Sequence, residues 1–308
     1  MLYEEIEIPD KDYQIKANIK IPTNEKSKNG VILAHGSIIN RQSLLRNKYS
    51  FGEYLCEQLD AYVIAPDFQG DTIHKKEIKF SNFSEIFNIT TKYAVETYGL
   101  DKVMGFGHSM GSYVVADAIR NNKYLGSLIT YGGPVKELQV KRASSFIDYL
   151  VKYLSTYNYS INIRRILKYV FDKETCRFLE DVMLKDESYC GDTYVFDFDS
   201  RIFMDIKNVV DNYVNYIKKW GKPALILYGT EDGTTFKTIK HFLDNSEDEN
   251  ITFKHIRGAS HVTPCMDSLF QVSKLKPVIH FFEQTVEISK YEEKKRKKTI
   301  IQPIKTWI

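Results

Sequence analysis

Cysteine is scarce in this chain: four in 308 residues, Cys56, Cys176, Cys190 and Cys265, widely scattered and with no Cys-x-x-Cys pair. That spacing argues against a disulfide framework or a zinc site. No His-Glu-x-x-His or comparable ligand cluster occurs, so neither a metal nor any other cofactor is expected. No uninterrupted apolar run approaches the roughly 18 residues that a membrane-spanning helix needs. A strong charge of one sign is also missing. Of the net +3, residues 291–308 carry +4 (six Lys or Arg against two Glu), which leaves −1 for the rest. A nucleic-acid-binding body would show a basic face, and none is expected here. The opening Met1–Glu7 is acidic and alternating, the opposite of a secretory leader, and the expectation is a soluble cytoplasmic protein.

What remains is ordinary globular composition, 43% hydrophobic and 27% charged. A chain this long buries roughly three quarters of its unfolded surface and folds without staples. Period-two alternation over Tyr3–Ile8 and Tyr13–Ile21 predicts an antiparallel hairpin. After the Asn29-Gly30 turn, Val31–Ala34 suits a strand buried on both faces. A helix is expected over Ser43–Leu59, a strand over Ala61–Ala65, a helix over Phe83–Tyr98 and a strand over Lys102–Phe106. A helix over Ser109–Asn121 and a strand over Ser127–Tyr131 follow. Such alternation implies a mainly parallel sheet covered on both faces. Gly and Pro then vanish from Val135 to Cys190, and helical periodicity runs on through Val209, Tyr213, Ile217 and Trp220. A helical insertion over 136–220 is expected, flanked by a core of 1–135 and 221–290. Strands resume at Ala224–Tyr228 and Ile251–Ile256, and a last helix spans Ser268–Ser289.

Gly107-His108-Ser109-Met110-Gly111 is a G-x-S-x-G between an expected strand and an expected helix. A serine on so sharp a turn sits in a strained backbone, and small flanking residues, Gly107 and Gly111, let the turn close. The helix that follows offers free N–H groups and a positive dipole end. A serine needs a base, and the base an orienting acid. Asp232, in Gly229-Thr230-Glu231-Asp232, follows one strand, and His261, in Gly258-Ala259-Ser260-His261, follows the next; Glu231 is the alternative acid. The other six histidines, His108 among them, lie on less suitable segments. His35-Gly36-Ser37 follows the first buried strand. The Ser37 and Met110 N–H groups could together receive an oxyanion, each donor contributing roughly 3 kcal/mol.

With these residues the chain resembles the α/β-hydrolase superfamily, in its lid-bearing branch of monoacylglycerol-lipase-like and serine-aminopeptidase-like serine hydrolases. The resemblance spans about residues 15–286. It implies an eight-stranded, mostly parallel sheet flanked by helices, with a cap inserted after the sixth strand. It also implies Ser109 as nucleophile, His261 as base, Asp232 as its acid, and Ser37 with Met110 as oxyanion donors. Two departures stand out. Where the family often has Asp-x-Arg-Gly-x-Gly-x-Ser, this chain reads Asp67-Phe68-Gln69-Gly70-Asp71-Thr72, and it lacks the His-Gly-Gly-Gly of many esterases.

The reaction implied is hydrolysis of a carboxylic ester or related small acyl compound through an acyl-enzyme. A thioesterase, an acyltransferase, a peptidase and a non-catalytic receptor of the same fold are the alternatives. Aromatic residues of the insertion (Tyr149, Tyr153, Tyr157, Tyr159 and others) would mostly form its core, with a few lining a lipophilic acyl pocket. The basic tail, Lys294–Lys298 with Trp307 beyond, is either a solvated end or a contact to an anionic membrane or a partner.

Overall fold

In the computed structural model the alternating opening folds back on itself. β1 (Leu2–Pro9) pairs antiparallel with β2 (Tyr13–Ile21), Leu2 opposite Ile21 and Pro9 opposite Gln14. The Asp10 carboxylate closes the turn by accepting the Asp12 N–H at 3.0 Å. The structure describes residues 1–36, 41–45, 49–68, 73–74, 79–133, 209, 212–232, 248–266 and 268–287.

The remaining strands are β3 (Asn29–Ala34), β4 (Ala61–Pro66), the two-residue β5 (Ile73–His74), β6 (Lys102–His108), β7 (Leu125–Tyr131), β8 (Ala224–Gly229) and β9 (Ile251–Ile256). Eight of them form one path in the order β1-β2-β4-β3-β6-β7-β8-β9, and β5 pairs with β2 off that path. Every pairing from β4 to β9 is parallel; β1 and β2 join antiparallel. This is the eight-stranded, mostly parallel sheet of the α/β-hydrolase fold, and β7 is the sixth strand of that path in chain order.

Strand periodicity splits the core in two. Val31 and Leu33, Val63 and Ala65, Met104 and Phe106, Leu225 and Leu227 face one side. Ile32 and Ala34, Tyr62 and Ile64, Ala224 and Ile226 face the other. The first side is covered by α1 (Gln42–Leu45), α2 (Phe51–Leu59) and the helical segment 276–287, the second by α3 (Phe80–Tyr98), α4 (Met110–Ala118) and the helical segment 212–220. Strands buried on both faces need continuous apolar runs, which is why Val31–Ala34 and Ala61–Ala65 read so clearly.

Two expected helices are broken. The span Ser43–Leu59 divides into α1 and α2, because Ser50 turns extended (ψ 159°) and its hydroxyl accepts the Glu53 N–H at 3.3 Å, capping a new helix. The span Ser268–Ser289 divides into Leu269–Ser273 and 276–287, with a turn at 274–275. Pro277 has no N–H to give the Ser273 carbonyl, so the first helix stops and the second begins with proline in its first turn. The expected insertion 136–220 lies outside the described residues except for Val209 and 212–220, and the tail 291–308 lies wholly outside them. Among the described residues no helix is long and apolar enough to cross a membrane.

Candidate active site

Parallel strands deliver their C-terminal ends to one sheet edge, and the residues just beyond β3, β6, β7, β8 and β9 meet there. The turn after β6 is the tightest. Ser109 holds φ 53° and ψ −119°, a left-handed backbone that non-glycine residues rarely adopt. The turn is pinned by the Ser109 N–H, which donates to the Tyr131 carbonyl at 2.9 Å, and by the Ser112 N–H, which donates back to Ser109 at 3.0 Å.

No side chain fits beside this turn. A Cβ on Gly107 would stand 2.4 Å from the Gly111 carbonyl oxygen, and one on Gly111 would stand 2.1 Å from that of Ala34. The start of α4 therefore packs directly against the end of β3. Met110 opens α4, so its N–H has no intrahelical acceptor and faces outward at the positive end of the helix. Ser109 itself is partly exposed.

Beyond β8 and β9 the two loops are stitched together by the backbone. Thr230 N–H donates to Ile256 O at 3.0 Å, Glu231 N–H to Ala259 O at 2.9 Å, and Gly258 N–H to the Thr230 hydroxyl at 2.9 Å. This stitching sets Asp232 beside His261. Asp232 Oδ2 lies 2.9 Å from His261 Nδ1, and the carboxylate is fully buried. A carboxylate only accepts, so Nδ1 carries the proton there and Nε2 is left as a base. Glu231 uses its backbone N–H in the stitching and takes no part in this contact. The Ser109 hydroxyl makes no hydrogen bond to His261 among the described residues; such bonds are often loose until substrate arrives.

The loop after β3 is held from behind. His35 Nε2 lies 3.2 Å from Asp67 Oδ1, Arg41 Nη1 donates to Asp67 Oδ2 at 2.8 Å, and Arg41 Nε donates to Asn18 Oδ1 at 2.9 Å. All four side chains are buried. Asp67, the residue that this chain shares with the common family stretch before departing from it at Gln69 and Thr72, is thus anchored by Arg41. His35 and Gly36 sit at this edge, while Ser37 lies outside the described residues. Among the described residues no group of three or more His, Cys, Asp or Glu could hold a metal ion.

A family model described as serine aminopeptidase, S33, matches residues 28–265. The chain belongs to this family of α/β-hydrolases. Solved structures agree on the fold. An esterase from Thermogutta terrifontis is 16% identical with a TM-score of 0.65, covering 91% of this chain and 99% of its own. A proline iminopeptidase-related protein from Thermus thermophilus is 14% identical with a TM-score of 0.64, covering 92% and 100%. The Pyrococcus furiosus esterase is 15% identical with a TM-score of 0.58, covering 92% and 91%. A comparison with curated proteins finds no match.

Two residues of this hydrolase carry more weight at the site than their sequence context suggested. Gly132, just beyond β7, has φ 65°, and a Cβ there would stand 3.0 Å from His261 Nδ1 and 3.4 Å from Asp232 Oδ2. Its signal was available: a Gly-Gly pair ending a strand at the edge that holds the elbow. His108, set aside among the less suitable histidines, is buried beneath His261 with its ring 5.2 Å from the His261 ring. Periodicity carries no signal for that contact, because His108 ends β6 while His261 lies beyond β9, far away along the chain.

Proposed function

We propose that this α/β-hydrolase is a serine hydrolase that cleaves a carboxylic ester or a related acyl compound through an acyl-enzyme. The observation that carries the reading is the buried 2.9 Å contact between Asp232 and His261, at the same sheet edge as a serine on a strained strand-to-helix turn. Ser109 Oγ attacks the acyl carbonyl and gives its proton to His261 Nε2. The Asp232 carboxylate stabilises the resulting imidazolium through Nδ1–H. Negative charge on the carbonyl oxygen is received by the N–H groups of Met110 and Ser37. The intermediate collapses, and the departing alkoxide takes the proton from His261. Water, deprotonated by the same histidine, then releases the acid and restores Ser109. No step calls for a cofactor.

The lid-bearing resemblance and the aromatic insertion favour a partly lipophilic acyl group. A peptide or amide substrate is the second reading, favoured by the description of the matching family. Hydrolysis of p-nitrophenyl esters from acetate to decanoate, set beside aminoacyl p-nitroanilides, tests both. The expected result is turnover of esters with an optimum at medium chain length. Turnover of the anilides alone would replace the ester reading with the peptidase one.

A further inference from the structure

Behind the candidate base lies a buried imidazole that the proposed reaction does not use. His108 Nε2 stands 2.8 Å from the backbone carbonyl oxygen of His261, and His108 Nδ1 stands 3.6 Å from Cys265 Sγ. A carbonyl can only accept, so Nε2 must carry the proton and donate it. Nδ1 is then a bare acceptor, and the Cys265 thiol donates to it weakly. Both contacts are buried. His108 also directly precedes Ser109. One side chain therefore bridges the turn that carries the candidate nucleophile and the loop that carries the candidate base.

We infer that His108 is a positioning residue, a strut whose Nε2–H holds the main chain of His261 at a fixed distance from Ser109. The inference rests on the serine-hydrolase reading of the site. A change of about 1 Å in such a distance can cost on the order of 100-fold in rate while leaving substrate affinity nearly untouched. The strut must also stay uncharged, because a cation beneath His261 would oppose the positive charge that forms there during each half-reaction. Burial, and next the neighbouring His261, push the His108 pKa down to about 3. The His261 carbonyl fixes the donor at Nε2, and the Cys265 thiol is the weak donor to the bare Nδ1.

The test uses three variants of the full chain. His108→Leu keeps bulk and removes the donor; kcat for the best ester should fall about 10- to 100-fold with KM within about 2-fold. His108→Gln, whose amide N–H reaches a position close to that of Nε2, should restore most of the lost kcat. Cys265→Ser, which keeps a donor to Nδ1, should leave kcat within a few-fold. Equal kcat in wild type and His108→Leu, or equal losses in Leu and Gln variants of matching melting temperature, would overturn the strut. Imidazole ¹⁵N spectra of wild type give an independent reading if His108→Leu fails to fold. A His108 protonated at Nε2 and bare at Nδ1 supports the inference, and the opposite tautomer overturns it. Absence of any ester or anilide turnover in wild type would instead defeat the hydrolase reading, and the tautomer would then judge the hydrogen bond alone.

Discussion

Two close approaches define the surroundings of His261, the Asp232 carboxylate at its Nδ1 and Gly132 against its ring. Asp232 is buried with its carboxylate against His261 Nδ1. Replacing it by Asn removes the charge that fixes the tautomer, because an amide can present its N–H and leave Nδ1 bare. Asp232→Asn should lower kcat roughly 10⁴-fold with KM little changed, as measured by steady-state ester hydrolysis. Gly132 permits the same contact by having no side chain. In Gly132→Ala the new methyl would meet the imidazole at 3.0 Å in a backbone of φ 65°, which costs roughly 1–2 kcal/mol before any loss of function. A lowered melting temperature together with at least a 10-fold lower kcat is expected, and a crystal structure should show the His261 ring displaced.

Among the elements, α2 shows how local chemistry overrides periodicity. The apolar spacing of Leu44, Phe51, Leu55 and Leu59 runs without a break, and on that basis one helix is expected. Ser50-x-x-Glu53 is a capping sequence within that run, and its hydroxyl ends the continuity. Glu53 then turns inward to pair with Lys20 of β2, so the cap also ties the helix to the sheet. Ser50→Ala should destabilise the protein by about 1 kcal/mol in denaturant titration, with activity unchanged at low temperature. Pro277 was equally visible and equally decisive for the last helix. The central strands β3, β4, β6, β7 and β8 read with fewer errors because they lie buried on both faces, so their apolar runs have little polar alternation to blur their limits. The ends still moved: β6 continues through Gly107 to His108, since pairing with β3 and β7 extends to Ala34 and Tyr131. The short β5 has no run of its own and exists only through its pairing with β2. That Ser109, Asp232 and His261 would gather at one edge was legible, because parallel strands deliver their following residues there. The contacts of Gly132 and His108 with His261 join segments far apart along the chain, which spacing does not encode.

For the whole molecule, burying a neutral histidine makes stability depend on pH. His108 in the folded protein titrates near 3, against about 6.5 when unfolded. Between those values the unfolded chain binds a proton that the folded chain refuses, so stability is full above about pH 6.5 and falls as the pH drops towards 3. The slope from this one group is up to about 1.4 kcal/mol per pH unit. Chemical denaturation from pH 7.5 to 4.5 should show that decline, and His108→Gln should flatten it; an unchanged slope would mean that His108 is solvated. The central proposal, covalent catalysis at Ser109, draws on the fold, the strained serine turn and the buried His261–Asp232 contact. Labelling with a fluorophosphonate, followed by intact and peptide mass spectrometry, tests that claim most directly. The account predicts one adduct, located on Ser109 and absent from Ser109→Ala of equal melting temperature. A well-folded wild type that takes up no label, or a Ser109→Ala protein labelled as fast as wild type, would contradict it.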